Sequence, residues 1–112
     1  LPALFTDDDD LAASVSRHGQ NVGDPLWRLP LWRGYNAKLD SEVADMNNVS
    51  DGPFAGAITA ALFLQRFVAK ARRYAHVDLY GWRAAARPLG PKGGEPHAAR
   101  LLLATLSDEV LS

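Results

Sequence analysis

Cysteine is absent from the 112-residue chain. That excludes disulfide cross-links, thiolate metal ligands and thiol nucleophiles, and it suits a cytoplasmic protein. An excess of one charge sign is also missing: 12 Lys and Arg stand against 13 Asp and Glu, for a formal net charge of -1. Such a balance has no general attraction for nucleic acid or an anionic membrane, so neither is expected as a partner. Long hydrophobic runs are missing too. The longest apolar stretch, Ala55 to Ala69, is broken by Gln65 and Arg66. It falls short of the ~20 apolar residues that a membrane-spanning helix needs.

What is there suits one globular domain. Apolar residues make up 47% of the chain and charged residues 22%, a composition able to build a modest core. Disorder needs low hydrophobicity with high net charge, and neither holds. The first residue is Leu1, not Met. Leu1-Pro2-Ala3-Leu4-Phe5-Thr6 reads as a strand or loop entered midway, so the chain is expected to be a fragment.

Ala3 to Thr6 is a short apolar run of strand type. Asp7 to Asp10 then precede Leu11-Ala12-Ala13-Ser14-Val15, a helix-start signal in which carboxylates face the positive end of the dipole. This helix is expected to stop near Gly19 or Gly23. Pro25 and Pro30 hold Gly23 to Leu31 extended, with Trp27 and Trp32 giving this arm large apolar area to bury. Arg33 to Asp40 predicts a short helix, and Asp45 to Ser50 a short strand or loop ending in the turn Asp51-Gly52-Pro53. Ala55 to Ala71 predicts a helix that is apolar nearly all round and therefore buried, with Lys70, Arg72 and Arg73 at its C-terminal end. Tyr74 to Tyr80 alternates: Ala75, Val77 and Leu79 point one way, His76, Asp78 and Tyr80 the other. Gly81 to Pro96 reads as a loop and His97 to Leu111 as a closing helix. The order predicts an α/β fold of α/β/α layers with a mainly parallel sheet.

Several groups could carry chemistry. Asp7-Asp8-Asp9-Asp10 could bind a divalent cation through carboxylate oxygens; a solvated helix start explains the run equally, and its spacing is not that of an EF-hand. His76 and Asp78 share a strand face and could be metal ligands or a base with its orienting partner. They could also be a buried hydrogen-bonded pair, since no third ligand or nucleophile lies nearby. His18 and His97 read as surface helix residues. Gly90-Pro91-Lys92-Gly93-Gly94-Glu95 precedes a helix, so its amides could hold an anion, with Arg83 and Arg87 adding charge. It matches neither the Walker nor the dinucleotide pattern and could be a flexible connection. No Gly-x-Ser-x-Gly elbow occurs.

Four segments form a more specific series. They are Gly23-Asp24-Pro25-Leu26-Trp27-Arg28-Leu29-Pro30-Leu31, Asp45-Met46-Asn47-Asn48, Ala55-Gly56-Ala57-Ile58-Thr59-Ala60-Ala61-Leu62-Phe63-Leu64, and Ala75-His76-Val77-Asp78-Leu79-Tyr80-Gly81-Trp82. In this order and spacing the chain, from about Ala3 to the last helix, resembles the C-terminal part of the leucyl aminopeptidases, the two-metal cytosol aminopeptidase family. The resemblance implies a cytoplasmic exopeptidase that removes N-terminal residues, often leucine. It implies two divalent ions, zinc or manganese, that activate a bridging water and polarise the peptide carbonyl. The family's metal ligands sit in motifs such as Asn-Thr-Asp-Ala-Glu-Gly-Arg, absent here and expected upstream of Leu1. No catalytic residue and no metal ligand is therefore expected in residues 1–112, and the chain alone is expected to be inactive. The Thr-, Leu- and Gly-rich substrate loop is expected just before it.

The resemblance leaves pocket wall to this chain. Val49 matches a position lining the pocket for the residue after the scissile bond. Tyr80 and Arg83 match positions lining the pocket for the N-terminal side chain. The common family pattern Asp-Ile-Ala-Gly is here Asp78-Leu79-Tyr80-Gly81, so a bulky Tyr80 reshapes that pocket. With Trp82, Arg87-Pro88 and Gly93-Gly94-Glu95, this looks like a second, Tyr-Gly-Trp branch. The implied partner of the whole enzyme is a peptide substrate, and family members form hexamers. The competing reading is a stand-alone, non-catalytic interaction domain that reuses the half-fold. Against it stands the all-apolar helix, which needs more cover than so short a chain supplies. Self-association or partial disorder of the isolated piece follows from the same point, with open strand edges inviting pairing.

Overall fold

The computed structural model describes residues 1–40, 54–88 and 90–111. The fold is built outward from β1 (Ala3–Phe5), whose side chains alternate between two helical layers. Leu4 points into a cluster with Ala12, Val15, Ala98 and Leu101. Phe5 points the other way, against Leu31, Leu39, Ala61 and Leu62. Leu4 and Phe5 are both wholly buried. The first cluster is the contact of α1 (Asp9–Asn21) and α3 (Ala99–Leu111) with the sheet. The second belongs to α2 (Gly56–Gln65) and a 3-10 helix over Arg33–Leu39. One strand thus separates two cores, the α/β/α layering that the element order predicts.

The sheet has the order β2-β1-β3. Strand β2 (Trp27–Arg28) runs parallel to β1, with Ala3 opposite Trp27, and α1 makes the crossover. Strand β3 (His76–Asp78) runs antiparallel, with Leu4 opposite Val77 and Phe5 opposite His76. The α/β class holds, while the sheet of the described residues is mixed, with one parallel and one antiparallel pairing. The reason lies at the carboxyl end of β1, where the Thr6 hydroxyl donates to the Tyr74 carbonyl at 2.6 Å. The chain re-enters the sheet there and can only run back along β1.

Helix α1 starts as its sequence directs. Asp8 is the N-cap, its carboxylate accepting from the Leu11 amide at 2.8 Å. Gly19 passes inside the helix because the chain returns over it: an added Cβ would lie 2.8 Å from the Asp24 carbonyl oxygen. Helix α2 departs from expectation. It ends at Gln65, not Ala71, and the chain continues in tight i to i+3 turns from Phe63 to Val68. Arg66 is drawn out of the helix, donating to the Asn36 carbonyl at 2.8 Å and pairing with Asp40 at 3.1 Å. Nor is α2 covered all round: Leu64 is exposed, as are Phe54 and Phe67 on either side of the helix. Trp27 and Trp32 are also exposed, because the arm forms the sheet edge and turns Leu31 inward instead. Among the described residues, no helix is long and apolar enough to cross a membrane.

Candidate functional site

The register places the candidate residues at opposite ends of the sheet. Asp78 pairs with Ala3, so Tyr80 and the segment after it emerge beside the amino end of β1. The acidic run Asp7 to Asp10 lies past its carboxyl end.

At the acidic end each of three carboxylates has an arginine. Asp7 pairs with Arg33 at 2.6 Å, Asp9 with Arg28 at 2.6 Å, and Asp8 with Arg73 at 2.8 Å. Arg73 also reaches Glu109 on α3. The Leu11 amide, followed by the Arg73 guanidinium, holds the Asp8 carboxyl below its ordinary range, against an opposing effect of burial. A cleft of about 600 Å³ opens here, lined in part by Asp7, Asp8, Arg33, Arg66, Arg72 and Arg73. Its carboxylates are committed to arginines, so the run acts as helix cap and ion-pair hub. His76 and Asp78 are half-buried, and no hydrogen bond joins them. His76 instead lies 6.2 Å from the Phe5 ring, centroid to centroid. Among the described residues, no three His, Asp or Glu side chains come close enough together to hold a metal ion.

At the other end the segment from Gly81 to Pro96, read as a loop, is a hairpin. Strands β4 (Trp82–Arg83) and β5 (Gly93–Gly94) pair antiparallel, and Arg87 and Gly90 bridge nearer the tip. Tyr80 stands just before it, 75% exposed. Arg83 turns into the hairpin, where Nε and Nη2 both donate to Oε2 of Glu95. Val49 lies outside the described residues. A cavity of about 460 Å³ adjoins the hairpin, lined in part by Asp24, Arg83, Arg87, Glu95, His97 and Arg100.

Asp24 is the residue the sequence reading missed. Its carboxylate, 4% exposed, accepts from the amides of Ala98 at 3.2 Å, Arg100 at 3.1 Å and Leu101 at 3.3 Å. The Ala98, Arg100 and Leu101 amides at the start of α3 are therefore filled by the chain's own carboxylate. A cap 74 residues away leaves no local signal. His18 was also misplaced: it is half-buried between α1 and α3, its Nδ1 donating to the Ser14 carbonyl at 2.7 Å and its Nε2 lying 3.2 Å from Asp108.

Comparison with known proteins locates this architecture. The family model for the cytosol aminopeptidase family, catalytic domain, matches residues 1–103. The "Probable cytosol aminopeptidase" of Oleidesulfovibrio alaskensis is 48% identical over 105 residues, covering 92% of this chain and 20% of that protein. That of Syntrophotalea carbinolica is 44% identical over 109 residues, covering 96% and 22%. The crystal structure of cytosol aminopeptidase from Coxiella burnetii superposes with a TM-score of 0.88 at 45% identity, over 96% of this chain and 24% of its own. The bottromycin maturation enzyme BotP in complex with Mn gives 0.88 at 38% identity, over 96% and 24%. The chain thus spans about a fifth of the length of the curated relatives it matches.

Proposed function

The chain belongs to the cytosol aminopeptidase family, and from that membership we propose that it is the C-terminal part of the catalytic domain of a cytoplasmic aminopeptidase, an enzyme that removes N-terminal residues from peptides. The match of the catalytic-domain model to residues 1–103 carries the reading. The α/β/α layering around β1 supports it, as does the agreement with the Coxiella burnetii enzyme.

In this reading the chain supplies pocket wall. Tyr80 and Arg83 line the pocket for the N-terminal side chain, and Val49 lines that for the residue after the scissile bond. The two divalent ions, zinc or manganese, belong to another part of the catalytic domain. The described residues do not fit them: Asp7, Asp8 and Asp9 are held by arginines, and His76 and Asp78 have no third donor beside them. Alone, the chain is inactive.

The test is reconstitution. The chain is co-expressed with the remaining part of the Oleidesulfovibrio alaskensis enzyme, and hydrolysis of leucyl-p-nitroanilide is followed with manganese or zinc. Turnover is expected only when both pieces and the metal are present, and a chelator should abolish it. A well-formed complex, loaded with metal, that cleaves no aminoacyl substrate overturns the reading.

A further inference from the structure

We propose that Arg83 serves the N-terminal side-chain pocket as a positioning residue. Its guanidinium is locked to Glu95 inside the β4–β5 hairpin, and the surface left to meet substrate is the uncharged ring of Tyr80. The proposal rests on the aminopeptidase reading and names what Arg83 does there: it fixes the hairpin beside Tyr80 and offers no charge to substrate.

The geometry closes around the guanidinium. The side chains of Arg83 and Glu95 are only 12% and 15% exposed. Two donors of the arginine fork converge on one carboxylate oxygen, and Nη1 lies 3.4 Å from the Pro91 carbonyl oxygen. The hairpin tip folds over the same group: a Cβ on Gly90 would lie 2.8 Å from the guanidinium carbon and closer still to Nη1. A side chain at Gly90 would push the guanidinium out of this position. Glu95 is fixed in turn by its own backbone, its amide donating to the Gly81 carbonyl at 3.0 Å and its carbonyl accepting from the His97 amide at 2.9 Å. The clasp therefore ends one residue from Tyr80. A half-closed ion pair of this kind leaves an uncompensated charge when one partner is removed, so losing either partner loosens the hairpin. It also withholds the arginine's charge from any substrate carboxylate.

The experiment is amide hydrogen exchange on the chain with Arg83→Met, Glu95→Gln and the reciprocal exchange Arg83→Glu/Glu95→Arg. The amides of Arg87, Gly90 and Glu95 report the hairpin, and those of α1 report the fold. Each single variant should speed exchange in the hairpin roughly ten-fold or more while α1 stays protected, and the reciprocal exchange should restore much of the protection. Unchanged hairpin protection in both single variants, or a reciprocal variant as fast as they are, overturns the clasp. Should Arg83→Met unfold the chain, Glu95→Gln decides, since it keeps the shape and removes only the charge. In the reconstituted enzyme, the double variant Arg83→Met/Glu95→Gln, which leaves no bare carboxylate, should lower kcat/KM for leucyl and glutamyl substrates by the same factor, and a loss confined to glutamyl substrates overturns the proposal. Exchange needs no peptidase activity, so a failed reconstitution and a failed clasp are told apart.

Discussion

Asp24 shows how much a single side chain can carry. Its carboxylate satisfies three amides at the start of α3, donors that would otherwise be orphaned at a buried helix end. Asp24→Ala is expected to cost about 2 kcal/mol or more, at the upper end for an N-cap, because buried amides lose their partner. Asp24→Asn, which keeps one acceptor oxygen, should cost less. Denaturant unfolding of the two variants measures both, and a midpoint unmoved by Asp24→Ala would show that the cap is dispensable. Arg83 works over a shorter range, since Glu95 lies only across the hairpin.

At the scale of the element, α1 is held at its start by Asp8. The folded chain lowers the affinity of this carboxyl for a proton, first through the Leu11 amide and then through Arg73. A depressed value contributes stability that is fully present above the unfolded pKa, near 3.8, and lost as pH falls through the folded value. Asp8→Asn should therefore destabilise the chain at pH 7 and flatten the acid limb of its stability curve below about pH 4. Thermal melts from pH 7 to pH 2.5 would show this. Parallel curves for the variant and the parent chain would assign the acid limb to other carboxylates. Helix α2 teaches the opposite lesson. Its apolar run continues past Gln65, yet Arg66 finds better partners on the 3-10 helix, and the helix ends there.

Across the whole molecule, apolar surface is left uncovered. Trp27 and Trp32 on the arm, Phe54 and Phe67 around α2, and Leu103 and Leu106 on α3 are each more than half exposed. Surface of this kind is a place for further protein to pack. Strands β2 and β3 are the two outer strands of their sheet, and an open edge invites pairing. The isolated chain is accordingly expected to self-associate, with its sedimentation coefficient rising with concentration. Leu103→Glu together with Leu106→Glu should reduce that rise. A single species of 12.2 kDa at every concentration would instead favour the stand-alone domain.

Much of this was legible along the chain. The acidic run before Leu11 marked the start of α1, and the alternation around Val77 marked β3. The series from Gly23 to Trp82 pointed to the family. Such signals arise between residues a few positions apart, where helix and strand periods and the helix dipole act directly. What only the tertiary structure decided depends on residues far apart in sequence. Thr6 bonding Tyr74 set the direction of β3, Arg66 bonding Asn36 and Asp40 set the end of α2, and Asp24 reached across the chain to cap α3. Hydrogen bonds and ion pairs of this kind exist only after folding has closed the intervening chain, so no local pattern foretells which partner a buried donor or carboxylate will find.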